Sequence, residues 1–308
     1  MADSPASPAV TRRAVALLFF SATLWGLSWW PLKQFAAQGL AGASLSLLSY
    51  GPVALLGLVL LWRERAAWRA QPGMLLWLGL VGGSANVAFV TALMQGEVVR
   101  VMLLFYLSPV WSVLGGRLFL GEAIGRRRLL AVSLALAGLG AVLGGTAALD
   151  HALSATDWLA LVSGMAFAGN NLLARATPRV PMASKTVAVF LGGTLTAALM
   201  LGLGAPVPVW GELSAGTLLG VLAYGFIWLG LAMVTWQYGV THLETGRAAV
   251  ILITELVVAV SSSVLMGEEQ LLPRMVLGAL LIGAAALLEA TDNPEPVEAG
   301  KRIATDTP

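Results

Sequence analysis

The chain has 308 residues, 58% hydrophobic and 11% charged, with 18 basic against 16 acidic side chains, whereas a soluble domain carries about 25% charged residues. So few charges cannot cover a water-facing surface. This excludes an ordinary soluble enzyme or a nucleic-acid-binding patch and makes lipid the solvent for most of the chain. Cysteine is absent, which removes disulfides, thiolate metal sites and thiol nucleophiles.

Residues 1–13 read as a polar cytoplasmic tail ending in Arg12-Arg13, and the apolar run that follows is too long for a signal peptide. Ten apolar segments succeed it, near 14–36, 44–62, 72–94, 99–119, 129–147, 157–175, 184–204, 215–237, 246–266 and 274–290. Each is close to the ~20 residues that cross a bilayer as a helix. Gln38-Gly39, Arg63-Glu64-Arg65, Arg126-Arg127-Arg128, Pro178 to Pro181 and Pro206-Val207-Pro208 mark breaks between them. Residues 291–308 form an acidic, Pro-containing cytoplasmic tail. The runs are continuously apolar, which rules out the alternating strands of a β-barrel.

With the N-terminus in the cytoplasm and the loops assigned alternately, 15 of the 18 Lys and Arg residues fall on the cytoplasmic side. Lys33, Arg100 and Arg274 fall on the other. That bias predicts a multi-pass inner-membrane protein with both termini inside, and a lost or extra span would scramble it. Trp62, Trp68, Trp77, Trp158 and Trp210 lie near span ends, where indole rings favour the interface.

One short element occurs twice: Glu97-x-x-Arg100 stands 147 residues before Glu244-x-x-Arg247. Trp25-Gly26-Leu27-Ser28-Trp29 in span one, followed by Lys33, lines up with Phe167-Ala168-Gly169-Asn170-Asn171 in span six, followed by Arg175. Pro109 to Gly121-Glu122 lines up with Glu255 to Gly267-Glu268. Four landmarks in order, at offsets of 142 to 147, predict two five-span units, 14–148 and 156–290, meeting at the polar stretch Asp150-His151 to Asp157. Five is odd, so the second unit is upside-down relative to the first. The expected fold is an all-α membrane protein, ten transmembrane helices arranged as two inverted five-helix repeats around a central cavity. Many secondary transporters have this symmetry.

The Trp25-Gly26-x-x-Trp29 stretch, the Pro109-x11-Gly121-Glu122 end of span four and the doubled five-span layout resemble the EamA branch of the drug/metabolite transporter superfamily. The resemblance covers nearly the whole chain except the tails, and within that branch it is nearest to the bacterial aromatic amino acid exporters. It implies an inner-membrane carrier with both termini cytoplasmic. One departure stands out: span nine of many relatives reads Glu-Pro where Glu255-Leu256 stand, so a Pro kink is missing from the second half.

A carrier needs a midplane pocket lined by both halves and closable from either side. Helical spacing puts Trp25, Ser28 and Trp29 on one face of span one, a stacking wall for a planar substrate or plain packing against lipid. Pro31 should kink that span within the bilayer, and Pro109 is the second candidate hinge. Asn170-Asn171 at mid-span suit a zwitterion carrying an ammonium and a carboxylate, or act as helix–helix glue. Glu255 is the deepest acid. Its cost in lipid must be offset by a cationic amine, a proton or a basic partner, or it stays protonated and structural. Asn86, Tyr106, Tyr224 and Trp228 are polar or aromatic groups in core spans, equally readable as pocket or packing. Glu97/Arg100 and Glu244/Arg247 can each pair along a helix face, as two gates or as solvated surface pairs. The paired glycines Gly82-Gly83, Gly115-Gly116 and Gly192-Gly193, and the run Gly138 to Gly145, read as close helix contacts.

No His-Glu-x-x-His or Gly-x-Ser-x-Gly pattern is present, and His151 and His242 both lie at span ends, so an intramembrane enzyme is disfavoured. No ring of like charges marks a channel filter. No cofactor or metal is expected. The expected partners are a small amphipathic substrate, an aromatic amino acid by resemblance, and the lipid bilayer. Oligomeric state stays open, a monomer included. A broad-range drug or metabolite exporter is the alternative.

Overall fold

The computed structural model describes residues 8–120, 125–143, 153–177, 179–243, 245–267 and 269–290. Gly121-Glu122, Asp150-His151, Pro178, Glu244, Glu268, the C-terminal tail and most of the N-terminal tail lie outside the described residues. Regular structure among the described residues is helical throughout, because hydrocarbon leaves main-chain groups no partner but their own helix.

The helices are α1 (Pro8–Leu27), α2 (Trp29–Ala37), α3 (Gly42–Arg63), the short α4 (Arg65–Trp68), α5 (Pro72–Gln95), α6 (Val98–Phe105), α7 (Ser108–Leu120), α8 (Arg126–Leu143), α9 (Ala155–Ala176), α10 (Met182–Gly202), α11 (Ala215–Ala223), a π-helical turn (Tyr224–Leu229), α12 (Gly230–His242), α13 (Thr245–Leu265) and α14 (Pro273–Ala290). Five continuous stretches are long and apolar enough by themselves to cross a membrane: Ala9–Ala37, Gly42–Arg63, Pro72–Gln95, Met182–Gly202 and Ala215–Trp236. Ile251–Leu265 and Pro273–Leu288 are shorter apolar helices. Helices also occupy the remaining expected segments, but α8 opens on three arginines and α9 carries Asp157 and Arg175. This is the make-up of a multi-pass membrane protein. Glycines at positive φ close α2, α10 and α13: Gly39 (85°), Gly204 (95°) and Gly267 (77°).

Two spans depart from a single rod. Span one breaks at Ser28 between α1 and α2, where Pro31 leaves the Leu27 carbonyl without its helical donor. Span four, read from sequence as one helix over 99–119, is two: α6 ends at Phe105, and α7 starts at Ser108, one residue before Pro109. Pro52 sits inside α3 without breaking it.

α1 packs on α12 and α13, α5 on α9 and α10, α3 on α10, and α8 on α14. Small residues set the closest approaches. A methyl group on Gly83 would collide with the backbone of Gly192 and Gly193, and one on Gly192 with the Gly79 carbonyl. Gly138 and Gly278 hold α8 against α14. Gly140, also read as a contact, meets nothing. Gly83→Leu should therefore force α5 and α10 apart and cost about 1–3 kcal/mol. Gly140→Leu serves as the open-face control. Thermal melts in detergent, followed by tryptophan fluorescence, should show a lowered midpoint for the first variant and not for the second.

Candidate functional site

The ends of the bundle are told apart by charge: Arg13, Arg63, Arg65, Arg126 and Lys185 mark one, Lys33 and Arg100 the other. α1, α12 and α13 form one group, and α3, α5, α9 and α10 another, with at most marginal contact between the two groups. They are joined through α2 on α5, α6 on α13 and α9, and α11 with the π turn on α3. α2, α6 and α11 all lie at the cation-poor end.

Between the two groups lies a small cavity lined by Trp25, Tyr50, Asn86, Val189, Phe190, Leu229 and Met233. Of the residues expected from sequence, Trp25 and Asn86 reach it. The Asn86 amide donates to the Gly82 carbonyl at 2.9 Å, so its side-chain oxygen remains an acceptor. Asn170 presses its side-chain oxygen against Gly82 from α9, buried and without a hydrogen-bond partner. Asn171 beside it is half-buried.

The rest of the expected set is distributed around the cavity. Trp29 is 1% exposed and donates its indole N–H to Ser262 of α13 at 2.9 Å, so it bolts span one to span nine and does not stack on a ligand in this conformation. Ser28 is buried and accepts the Trp228 indole N–H at 3.0 Å, while the same N–H also reaches the Leu24 carbonyl at 3.1 Å. Tyr224, in the π turn with Trp228, packs edge-on to Phe35. Tyr106 caps the end of α6, its hydroxyl 3.4 Å from the Leu252 carbonyl and next to the Glu255 carboxyl. Glu255 and Tyr106 thus form a polar pair between α6 and α13, apart from the cavity lining.

Tyr50, Phe190 and Met233 escaped the sequence reading. Tyr50 and Phe190 meet edge-on, ring centroids 5.5 Å apart. Neither the doubled motif nor a kink marks them, and Tyr and Phe in an apolar span look the same facing lipid or cavity.

The Glu97/Arg100 gate requires correction. Arg100 donates from Nε and a terminal nitrogen to Asp157 at 2.6 and 2.8 Å, an ion pair that reaches across to α9. Asp157 is itself fixed at the start of α9: its carboxylate accepts the Ser154 N–H, and its own N–H donates to the Ser154 hydroxyl. Two carboxylate oxygens facing a guanidinium fork outcompete the single-turn reach to Glu97. Further bonds close the same end. Lys33 donates to the Gly96 carbonyl at 3.1 Å, Thr217 to Gln38, and the Glu269 carboxylate accepts the N–H groups of Val98 and Val99. Glu244 lies outside the described residues, as do the side chains of Arg247 and Pro109.

Residues 12–144, the first half of the chain, match the profile of the EamA-like transporter family. Among curated proteins, none matches by sequence. Fifteen solved chains match in fold. One of them, a crystal structure titled only as that of a protein, superposes on 90% of this chain and 96% of its own with a TM-score of 0.57 at 19% identity. That likeness is one of fold alone.

Asp157→Asn should weaken the closed end by about 1–3 kcal/mol, the range for losing a charge-assisted hydrogen bond. Arg100→Ala combined with Asp157→Ala should cost less than the sum of the two single changes, read as melting shifts in a double-mutant cycle.

Proposed function

We propose, from the match of residues 12–144 to the EamA-like transporter family, that the whole chain is an inner-membrane secondary transporter of the drug/metabolite superfamily. It exports aromatic amino acids or related small amphipathic metabolites by alternating access, with both termini cytoplasmic. The observation that carries this reading is the parentage of the cavity. Trp25, Tyr50 and Asn86 come from the first half, and Val189, Phe190, Leu229 and Met233 from the second. A pocket at the seam of two units that can rock is what alternating access requires.

The packing supports the inverted repeat. Exchanging the halves turns the contacts of span one with spans eight and nine into those of span six with spans three and four, and both sets are present. The lining supports the cargo: aromatic rings for a planar side chain, an amide oxygen for an N–H donor, and the unpartnered Asn170 oxygen nearby for an ammonium. Glu255 beside Tyr106 is the group we assign to proton coupling. Met233 and the otherwise apolar lining favour the second reading, a broad-range exporter, since a thioether adapts to many shapes.

Proteoliposome uptake of radiolabelled Phe, Trp, Thr and a lipophilic cation, with and without a pH gradient, separates the two readings. Phe and Trp should move saturably and Thr poorly. Transport of the cation without Phe or Trp would overturn the amino acid cargo. Trp25→Ala should raise the KM for Trp about tenfold, from lost stacking and burial. Glu255→Gln should abolish the response to the gradient while leaving exchange intact, and a full response in that variant would remove Glu255 from the proton path.

A further inference from the structure

Glu269 belongs to the loop that joins α13 to α14, yet it serves a helix 170 residues away in sequence. Its carboxylate accepts the main-chain N–H groups of Val98 and of Val99, the latter at 2.9 Å, at the start of α6. The first N–H groups of a helix have no partner within it. α6 has no side-chain cap of its own: Glu97, in the capping position, makes none. The cap is therefore imported from the other half of the chain, across the end where the two helix groups join. Two carboxylates hold this one turn, Glu269 on its main chain and Asp157 on Arg100.

We propose that Glu269 is the clasp that keeps the cation-poor end shut, acting as a hydrogen-bond acceptor for α6, and that this end opens only when Glu269 withdraws. This goes beyond the transport reading and rests on it only in supposing that this end opens. Glu269 is a positioning residue, remote from the cavity lining. The clasp is one-sided by sequence: at the 146-residue offset that aligns Gly121-Glu122 with Gly267-Glu268, the counterpart of Glu269 is Ala123.

The charged groups acting on the clasp are Lys33 of α2 and Glu97 before α6, with Arg100 of α6 committed to Asp157 and Arg274 five residues on in sequence. Burial raises the Glu269 carboxyl above its ordinary range, more than the two N–H groups and Lys33 lower it. A group that binds protons more tightly when the end is closed than when it is free in water is stabilised closed by acid. A protonated carboxyl keeps its carbonyl oxygen as one acceptor and, with the proton turned away, a lone pair on its hydroxyl oxygen as the other. The clasp thus works through acceptance rather than charge, and acid does not release it.

The chain has no cysteine, so spin labels can be placed singly. Labels at Gln95 and Leu271, both exposed and flanking the clasp, report the width of this end by pulsed distance measurement on the full chain in nanodiscs, without substrate. Wild type should give a single short distance, since both carboxylate oxygens are engaged by the N–H groups of Val98 and Val99. Glu269→Ala should add a longer population, raising the open-to-closed ratio by about tenfold or more. Wild type moved from about pH 8 to about pH 5, through the range where a raised carboxyl titrates, should stay closed or close further. The proposal is overturned by an Ala variant as closed as wild type or by opening of the wild type in acid. The acid arm needs no altered protein, and all the distances are independent of whether any cargo moves.

Discussion

Hydrocarbon offers nothing to an unpaired main-chain N–H or C=O, and every irregularity in this bundle has had to be sheltered by a neighbour. The three sites of broken α-helix share one solution. Near the break at Ser28, Gly26 brings α1 onto the Glu255 carbonyl of α13, where an added methyl group would lie 2.6 Å away. At the break after α6, the Phe105 carbonyl lies on Gly164 of α9, again at 2.6 Å from such a methyl group. In the π turn, Gly225 meets the Ser49 carbonyl of α3 at 2.5 Å by the same measure. A glycine stands at each place because a side chain would hold the sheltering helix off and leave bare backbone in lipid. The residues of greatest chemical interest, Trp25, Tyr106, Tyr224, Trp228 and Glu255, lie within a turn of these sheltered points. Irregular backbone and polar side chains are tolerated together for the same reason.

The two halves do not bend alike. Span one and span four are broken near Pro31 and Pro109, while their counterparts α9 and α13 run continuously. Leu256 follows Glu255 in α13, so the donor that a proline would have removed is present there. α9 and α13 thus behave as struts beside the broken spans one and four. The indole of Trp29 anchored on Ser262 and that of Trp228 on Ser28 tie the broken span to α13 and to the π turn.

Much of the fold could be read from the sequence because lipid simplifies it. Span length and paired glycines each rest on one dominant energy, and residue size marks Gly83 and Gly192 as points of close approach without saying that α5 and α10 meet there. The kink at Pro31 was legible for the same reason. In span four Pro109 marked the candidate hinge but not that the helix would part there, since Pro52 shows that a proline inside a span need not break it: the outcome depends on whether a neighbour such as Gly164 can cover the freed carbonyl, which is a tertiary fact. The Arg100 partnership failed similarly. The nearest acid in sequence is Glu97, but Asp157, 57 positions away, presents both oxygens to the guanidinium fork. Tyr50 and Met233 carried no local signal. Which side of an apolar helix faces a cavity is decided by how the whole bundle packs, and composition is silent on it.

The π turn at Tyr224–Leu229 has a wider reach than its six residues. Such a turn houses one surplus residue in a helix, and each residue advances the screw by about 100°. Everything from Gly230 onward is therefore re-phased relative to α11. The re-phased stretch brings the Ala232 carbonyl to the Ser21 hydroxyl at 2.7 Å and sets Gly239 against Leu18. The arginine-rich half of the α1–α12 seam thus owes its register to a single amino acid held in reserve at mid-membrane, and shedding that reserve would turn α12 like a key.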